Sequence, residues 1–119
     1  MRVVIHGIRN CGTMKKAFDW LDAEGISYEF HDYKVAGLDR PKLAGWVSRL
    51  GWEALINRSG MTFRKLDEAS KRDLTEAKAM SLMLAQPGMV RRPVLAAGDE
   101  LLVGFDPARY AAAFARRRR

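Results

Sequence analysis

The 119-residue chain has a single cysteine, Cys11, so it cannot close an internal disulfide. That excludes the cross-linked secreted scaffold and makes the reducing cytoplasm the expected compartment. Histidine is also scarce: His6 and His31 each follow strand alternation and form no ligand cluster, so no metal is expected. Apolar runs stay well short of a bilayer span, and Met1-Arg2-Val3-Val4-Ile5 enters a strand pattern without the long apolar stretch of a secretion signal. Neither a membrane segment nor a leader is expected. Internal repeats, low-complexity stretches and dividing linkers are also missing.

What is present is a core. Hydrophobic residues make up 48% of the chain, with three Trp and five Phe spread along it, enough for one folded domain and too little for two of ordinary size. A single domain over residues 1–119, acting as a monomer, is the expectation. The formal charge of +7 suggests polyanion binding until Arg116-Arg117-Arg118-Arg119 is set aside, which leaves +3. Residues 116–119 read as a solvated basic tail. No interleaving of aromatic and basic residues supports nucleic acid as a partner.

The β-branched run Val3 to Ile5 predicts a buried strand, and Tyr28 and Phe30 alternating with Glu29 and His31 predict a half-covered one. Between them Met14, Ala17, Phe18 and Leu21 share one helical face, with Gly25 as the stop. Asp39 as N-cap, Pro41 in the first turn, and the stripe Leu43, Trp46, Val47, Leu50 predict a second helix ending at Gly51. After a break at Asn57-Arg58-Ser59-Gly60, Asp67 to Leu84 reads as further helix with Leu74, Ala77, Met80 and Leu84 aligned, closed by Gln86-Pro87-Gly88. Pro93 to Ala96 and Leu101 to Val103 flank the turn Gly98-Asp99 as a hairpin, and a last helix from Asp106-Pro107 carries Tyr110 and Phe114. The order βαβ, helices, ββα is that of an α/β, thioredoxin/glutaredoxin-like domain: a four-stranded mixed sheet with a helical insertion over about residues 39–88.

This order puts Cys11 at the junction of the first strand and first helix. Unpaired N–H groups and the helix dipole favour a thiolate there, although a free cysteine is more often a small buried hydrophobe. The turn Asn10-Cys11-Gly12-Thr13 is built of small residues whose N–H groups can surround an anion. Lys15 on the first turn adds charge or is simply solvated. Arg92-Pro93 opens the third strand, with Pro93 trans by default and cis by analogy with the fold class. Arg58 sits at the break between helices, where a guanidinium fork suits an oxyanion.

In Gly12-Thr13-Met14-Lys15-Lys16-Ala17, Phe30-His31-Asp32-Tyr33-Lys34, Thr62-Phe63-Arg64-Lys65-Leu66, Glu76-Ala77-Lys78-Ala79, Met83-Leu84-Ala85-Gln86-Pro87, Arg92-Pro93-Val94-Leu95 and Val103-Gly104-Phe105, the chain resembles the arsenate reductase-related (ArsC/Spx) family. It is most similar to its YffB-like branch. The resemblance implies that Cys11 is the catalytic cysteine, that Arg58 and Arg92 hold the oxyanion and stabilise the thiolate, and that Pro93 is the cis-proline. Asn10, Gly12, Thr13, Lys15 and Pro93 then bind substrate. The implied activity is that of a glutathione-dependent thiol reductase, with glutathione, aided by glutaredoxin, as reductant and partner. Arsenate reduction and Spx-like binding to RNA polymerase are the alternatives. Three departures bear on them: Gly7 and Val103 stand where glutathione-linked arsenate reductases carry histidine and arginine. Met14 replaces the second cysteine of the Spx Cys-x-x-Cys switch.

Overall fold

The computed structural model describes residues 1–9 and 11–117, Arg117 by its backbone alone. In chain order the elements are β1 (Val3–Gly7), α1 (Gly12–Ala23), β2 (Glu29–Asp32), α2 (Tyr33–Ala36), α3 (Arg40–Leu50), α4 (Trp52–Leu55), α5 (Met61–Arg64), α6 (Glu68–Lys71), α7 (Glu76–Ala85), a 3-10 turn (Pro87–Met89), β3 (Val94–Ala97), β4 (Glu100–Val103) and α8 (Pro107–Arg117). They form two compact units: Met1–Asp32 with Arg92–Arg119, and Tyr33–Arg91.

The first unit is a four-stranded sheet in the order β2-β1-β3-β4. β2 lies parallel to β1, with Ile5 opposite Phe30 and His6 opposite His31. β3 lies antiparallel to β1, pairing Ile5 with Leu95, and β4 antiparallel to β3. This mixed sheet with its βαβ and ββα halves is the thioredoxin-like α/β class. One face of its two central strands is apolar and covered: Ile5, Leu95 and Ala97 are fully buried there, together with Met14, Ala17 and Leu21 of α1. With Val3, Tyr110 and Phe114 they make one core. Each large aliphatic side chain buried there contributes about 1.5–3 kcal/mol against solvent exposure. Gly25 ends α1 as expected: its φ of 69° suits glycine, and the Ile26 N–H returns 3.0 Å to the Leu21 carbonyl.

The second unit is helical. Its helices begin at Tyr33, directly after β2 and ahead of the expected Asp39. The Asp39 carboxylate accepts from the Lys42 N–H at 2.7 Å, and Leu43, Trp46 and Val47 form the buried stripe of α3. The expected helix from Asp67 to Leu84 is two helices. Asp73 takes a left-handed backbone (φ 52°), and Thr75 starts α7 afresh by accepting from the Lys78 N–H. Leu74 therefore lies in the break, and α7 buries Ala79, Met80 and Met83 rather than a stripe ending at Leu84. The Lys78 ammonium bridges the break, donating to the carbonyls of Ala69 at 2.8 Å and of Arg72.

At the other end of the chain, Arg116 and Arg117 continue α8 instead of fraying. The Arg116 guanidinium meets the Glu100 carboxylate, and cations are favoured at a helix C-terminus. Arg118 and Arg119 lie outside the described residues.

Candidate active site

β1 runs out at Gly7 and the chain re-enters regular structure at Gly12, which leaves Cys11 as the N-cap of α1 with extended backbone (φ −147°, ψ 131°). Small residues are needed at this corner for a steric reason. A Cβ on Gly7 would lie 2.4 Å from the Met14 Sδ and 2.8 Å from its Cε, and Met14 is fully buried. Gly7 thus leaves space for Met14 to anchor the first turn of α1, and that turn fixes the thiol.

The sulfur is half-buried. It closes no cap hydrogen bond of ordinary geometry, but it faces the N–H groups of Met14 and Thr13 and the guanidinium of Arg92. Burial pushes the thiol pKa up. The Met14 N–H, the Arg92 hydrogen bond, the Thr13 N–H and the Arg92 charge together outweigh it, so the pKa lies below the ordinary thiol value. The thiolate is therefore enriched at neutral pH, and it is the nucleophilic form.

Arg92 and Pro93 open the third strand, and the peptide bond between them is cis. The Pro93 carbonyl accepts from the Gly104 N–H at 2.8 Å, which ties this corner to the end of β4. The imidazole of His6 is buried with Nδ1 2.9 Å from the Val94 carbonyl oxygen, and its ring centre lies 5.3 Å from that of His31. Among the described residues no group of three or more His, Cys, Asp or Glu could hold a metal ion.

The remaining sequence candidates fall into three places. Gly12 and Lys15 line a groove with Cys11, but the Lys15 ammonium pairs with Asp19 at 2.9 Å rather than with the sulfur. Arg58 belongs to the second unit, where it is exposed and its guanidinium sits 5.4 Å over the Trp52 ring. Asn10 lies outside the described residues.

The same groove brings in residues that the sequence did not single out. Arg9 and Phe18 line it beside Cys11, and Tyr28 and Phe30 continue it. The half-covered alternation at Tyr28 and Phe30 was the available signal. Arg9 gave none.

A family model described as the ArsC family matches residues 6–113. The chain belongs to the ArsC family. This ArsC-family chain is 58% identical to the solved structure of the YFFB (PA3664) protein, with a TM-score of 0.91 over 93% of this chain and 97% of that one. It is 54% identical to an arsenate reductase (ArsC) related protein from Brucella melitensis, with a TM-score of 0.76 over 96% and 95% of the two chains. Among curated sequences it is 38% identical to an uncharacterised protein of Haemophilus influenzae, covering 95% of this chain and 99% of that one. It is 25% identical to the global transcriptional regulator Spx of Streptococcus mutans over 82% and 72% of the two chains. The ArsC-family relatives thus include both an arsenate reductase-related protein and a regulator. No helix among the described residues is long and apolar enough to cross a membrane.

Proposed function

We propose that this ArsC-family protein is a glutathione-dependent thiol reductase working through one thiolate. The observation that carries the reading is the surroundings of Cys11: a half-exposed sulfur at the start of α1, held below its ordinary pKa by the Met14 and Thr13 N–H groups and Arg92. A thiolate of this kind attacks disulfide sulfur.

In the first step the Cys11 thiolate attacks the glutathione sulfur of a mixed disulfide. One S–S bond forms, the original S–S bond breaks, and the electron pair leaves on the substrate sulfur. In the second step a glutathione thiolate attacks the Cys11–glutathione disulfide, which releases oxidised glutathione and regenerates the Cys11 thiolate. The proton given up by glutathione ends on the released substrate thiol. An outside thiol is required because Cys11 is the chain's only cysteine. The backbone before Pro93 is assigned to the extended glutathione peptide, as an added strand, and Arg92 to a glutathione carboxylate. No step is assigned to Arg58.

Arsenate reduction is the weaker reading. Gly7 stands where the resemblance places a histidine of the glutathione-linked arsenate reductases, and Met14 fills the space such a side chain needs. A redox-switched regulator is weaker still, since Met14 occupies the second cysteine's place.

The test is mass spectrometry of the native protein after exposure to oxidised glutathione. One glutathione adduct, located on Cys11 and removed by reduced glutathione, is expected. A folded protein that stays unmodified overturns the reading, and a stable complex with the RNA polymerase α subunit in that case establishes the docking alternative.

A further inference from the structure

A mixed disulfide brings two different bodies to one sulfur, and the assignments above place only the glutathione half. A groove of about 420 Å³ opens at Cys11 and is lined by Arg9, Gly12, Lys15, Phe18 and Asp19. A second hollow of about 430 Å³ shares Arg9 and Phe18 with it and reaches Asp22, Tyr28 and Phe30. Both volumes fall in the range of small-molecule sites.

The walls are aromatic and the charges are nearly all matched. Phe18 stacks on Tyr28 with ring centres 5.6 Å apart and meets Phe30 edge-on at 5.2 Å. Lys15 satisfies Asp19 at 2.9 Å. Burial, and then the charge of the Asp22 carboxylate, raise the Tyr28 phenol's pKa. Arg9 is different: it is exposed, its guanidinium lies 5.5 Å over the Phe30 ring, and among the described residues it has no carboxylate partner. Ring packing leaves a guanidinium's N–H groups open to an anion while holding it in place.

Resting on the thiol-reductase reading, we propose that this groove receives the leaving half of the mixed disulfide and selects a thiol with a flat apolar body and a carboxylate. The apolar body lies against Phe18, Tyr28 and Phe30, and the carboxylate meets Arg9. Arg9 is then a specificity-determining residue rather than a catalytic one. Release follows the chemistry already given: the electron pair goes to the thiol sulfur in the groove as the Cys11–glutathione bond forms.

Two measurements decide it. In the first, turnover is compared for glutathione mixed disulfides of para-(mercaptomethyl)benzoate and of the matching carboxamide, which share one leaving sulfur and differ in charge. The wild-type kcat/KM is expected to favour the benzoate by about tenfold, the worth of one charge-assisted hydrogen bond. Arg9→Ala is expected to remove that preference by slowing the benzoate alone. Equal rates for the two probes in the wild type, or an equal slowing of both by Arg9→Ala, overturn the proposal.

In the second, Cys11→Ser protein is titrated with para-toluate, which needs no turnover. Amide resonances of Arg9, Phe18, Tyr28 and Phe30 are expected to shift, and their failure to do so sinks the groove as a binding site. Toluate binding without turnover of either disulfide upholds the groove and overturns the thiol-transfer reading on its own.

Discussion

At Cys11, four influences that would be small singly act on one atom. Two backbone N–H groups, a guanidinium hydrogen bond and its charge are set against burial, and together they win. Because the pKa is lowered, the thiolate fraction at neutral pH is larger than that of an ordinary cysteine, and it falls as pH drops through the lowered value. Arg92→Ala removes two of the four stabilising influences, so the pKa must rise. The expected outcome is a slower alkylation of Cys11 by iodoacetamide at neutral pH, with the rate recovering at alkaline pH. An alkylation profile unchanged by the substitution contradicts the role given to Arg92. Gly7 is the second residue whose effect can be foreseen. Gly7→Ala drives a Cβ into Met14 and should cost about 1–3 kcal/mol of stability in urea unfolding, as overpacking does. Truncating Met14 in the same molecule should recover part of that loss. The sequence made Cys11 legible through its position between a strand and a helix, whereas the Gly7–Met14 contact was invisible because it joins two residues that read separately as a turn and a stripe.

Among the elements, those with strong periodicity at both ends were readable. α1, α3 and the hairpin of β3 and β4 fall close to where apolar spacing and stop residues place them. The helical unit was readable only in part. α2, α4, α5 and α6 are single turns of four residues each, too short for a periodic stripe. Asp67 to Leu84 kept a helical rhythm across a break that depends on the backbone of Asp73. Caps carry the break. Thr75→Ala leaves the Lys78 N–H without its acceptor and is expected to cost about 1 kcal/mol, measured by urea denaturation. Asp67 caps α6 by accepting from the Ser70 N–H at 2.7 Å. The Ser70 backbone and side chain, with Lys78 and Lys71 nearby, lower its pKa. Its contribution is therefore full above the ordinary carboxylate range and is lost as pH falls through the lowered value. Asp67→Asn should make stability less steep in acid, which denaturant midpoints measured from neutral to acidic pH will show.

Taken as a whole, the chain shows why the class of fold was easier to read than the site. Buried strands and amphipathic helices each repeat a pattern many times over, so the order βαβ, helices, ββα survives local errors. A site is made of single residues brought together once. Arg92 and Cys11 lie far apart in sequence, and only the pairing of β1 with β3 puts their strands side by side. Leu95, at the centre of that pairing and fully buried, is where this arrangement is most exposed to damage. Leu95→Ala should cost about 2–5 kcal/mol in equilibrium unfolding. Loss of the lowered thiol pKa should track that unfolding transition, since it depends on the folded start of α1 and on the sheet that holds Arg92 beside the sulfur.

The buried sulfur of Met14 has a last consequence for how relatives of this protein can differ. Exchanging it for cysteine does not by itself create a dithiol switch, because the shorter side chain would leave an empty space beneath Gly7 and the new thiol would begin in the hydrocarbon interior. A change from one-thiol to two-thiol chemistry along this lineage therefore calls for paired replacements, one on the helix and one on the strand, and positions 7 and 14 should be inherited as a couple.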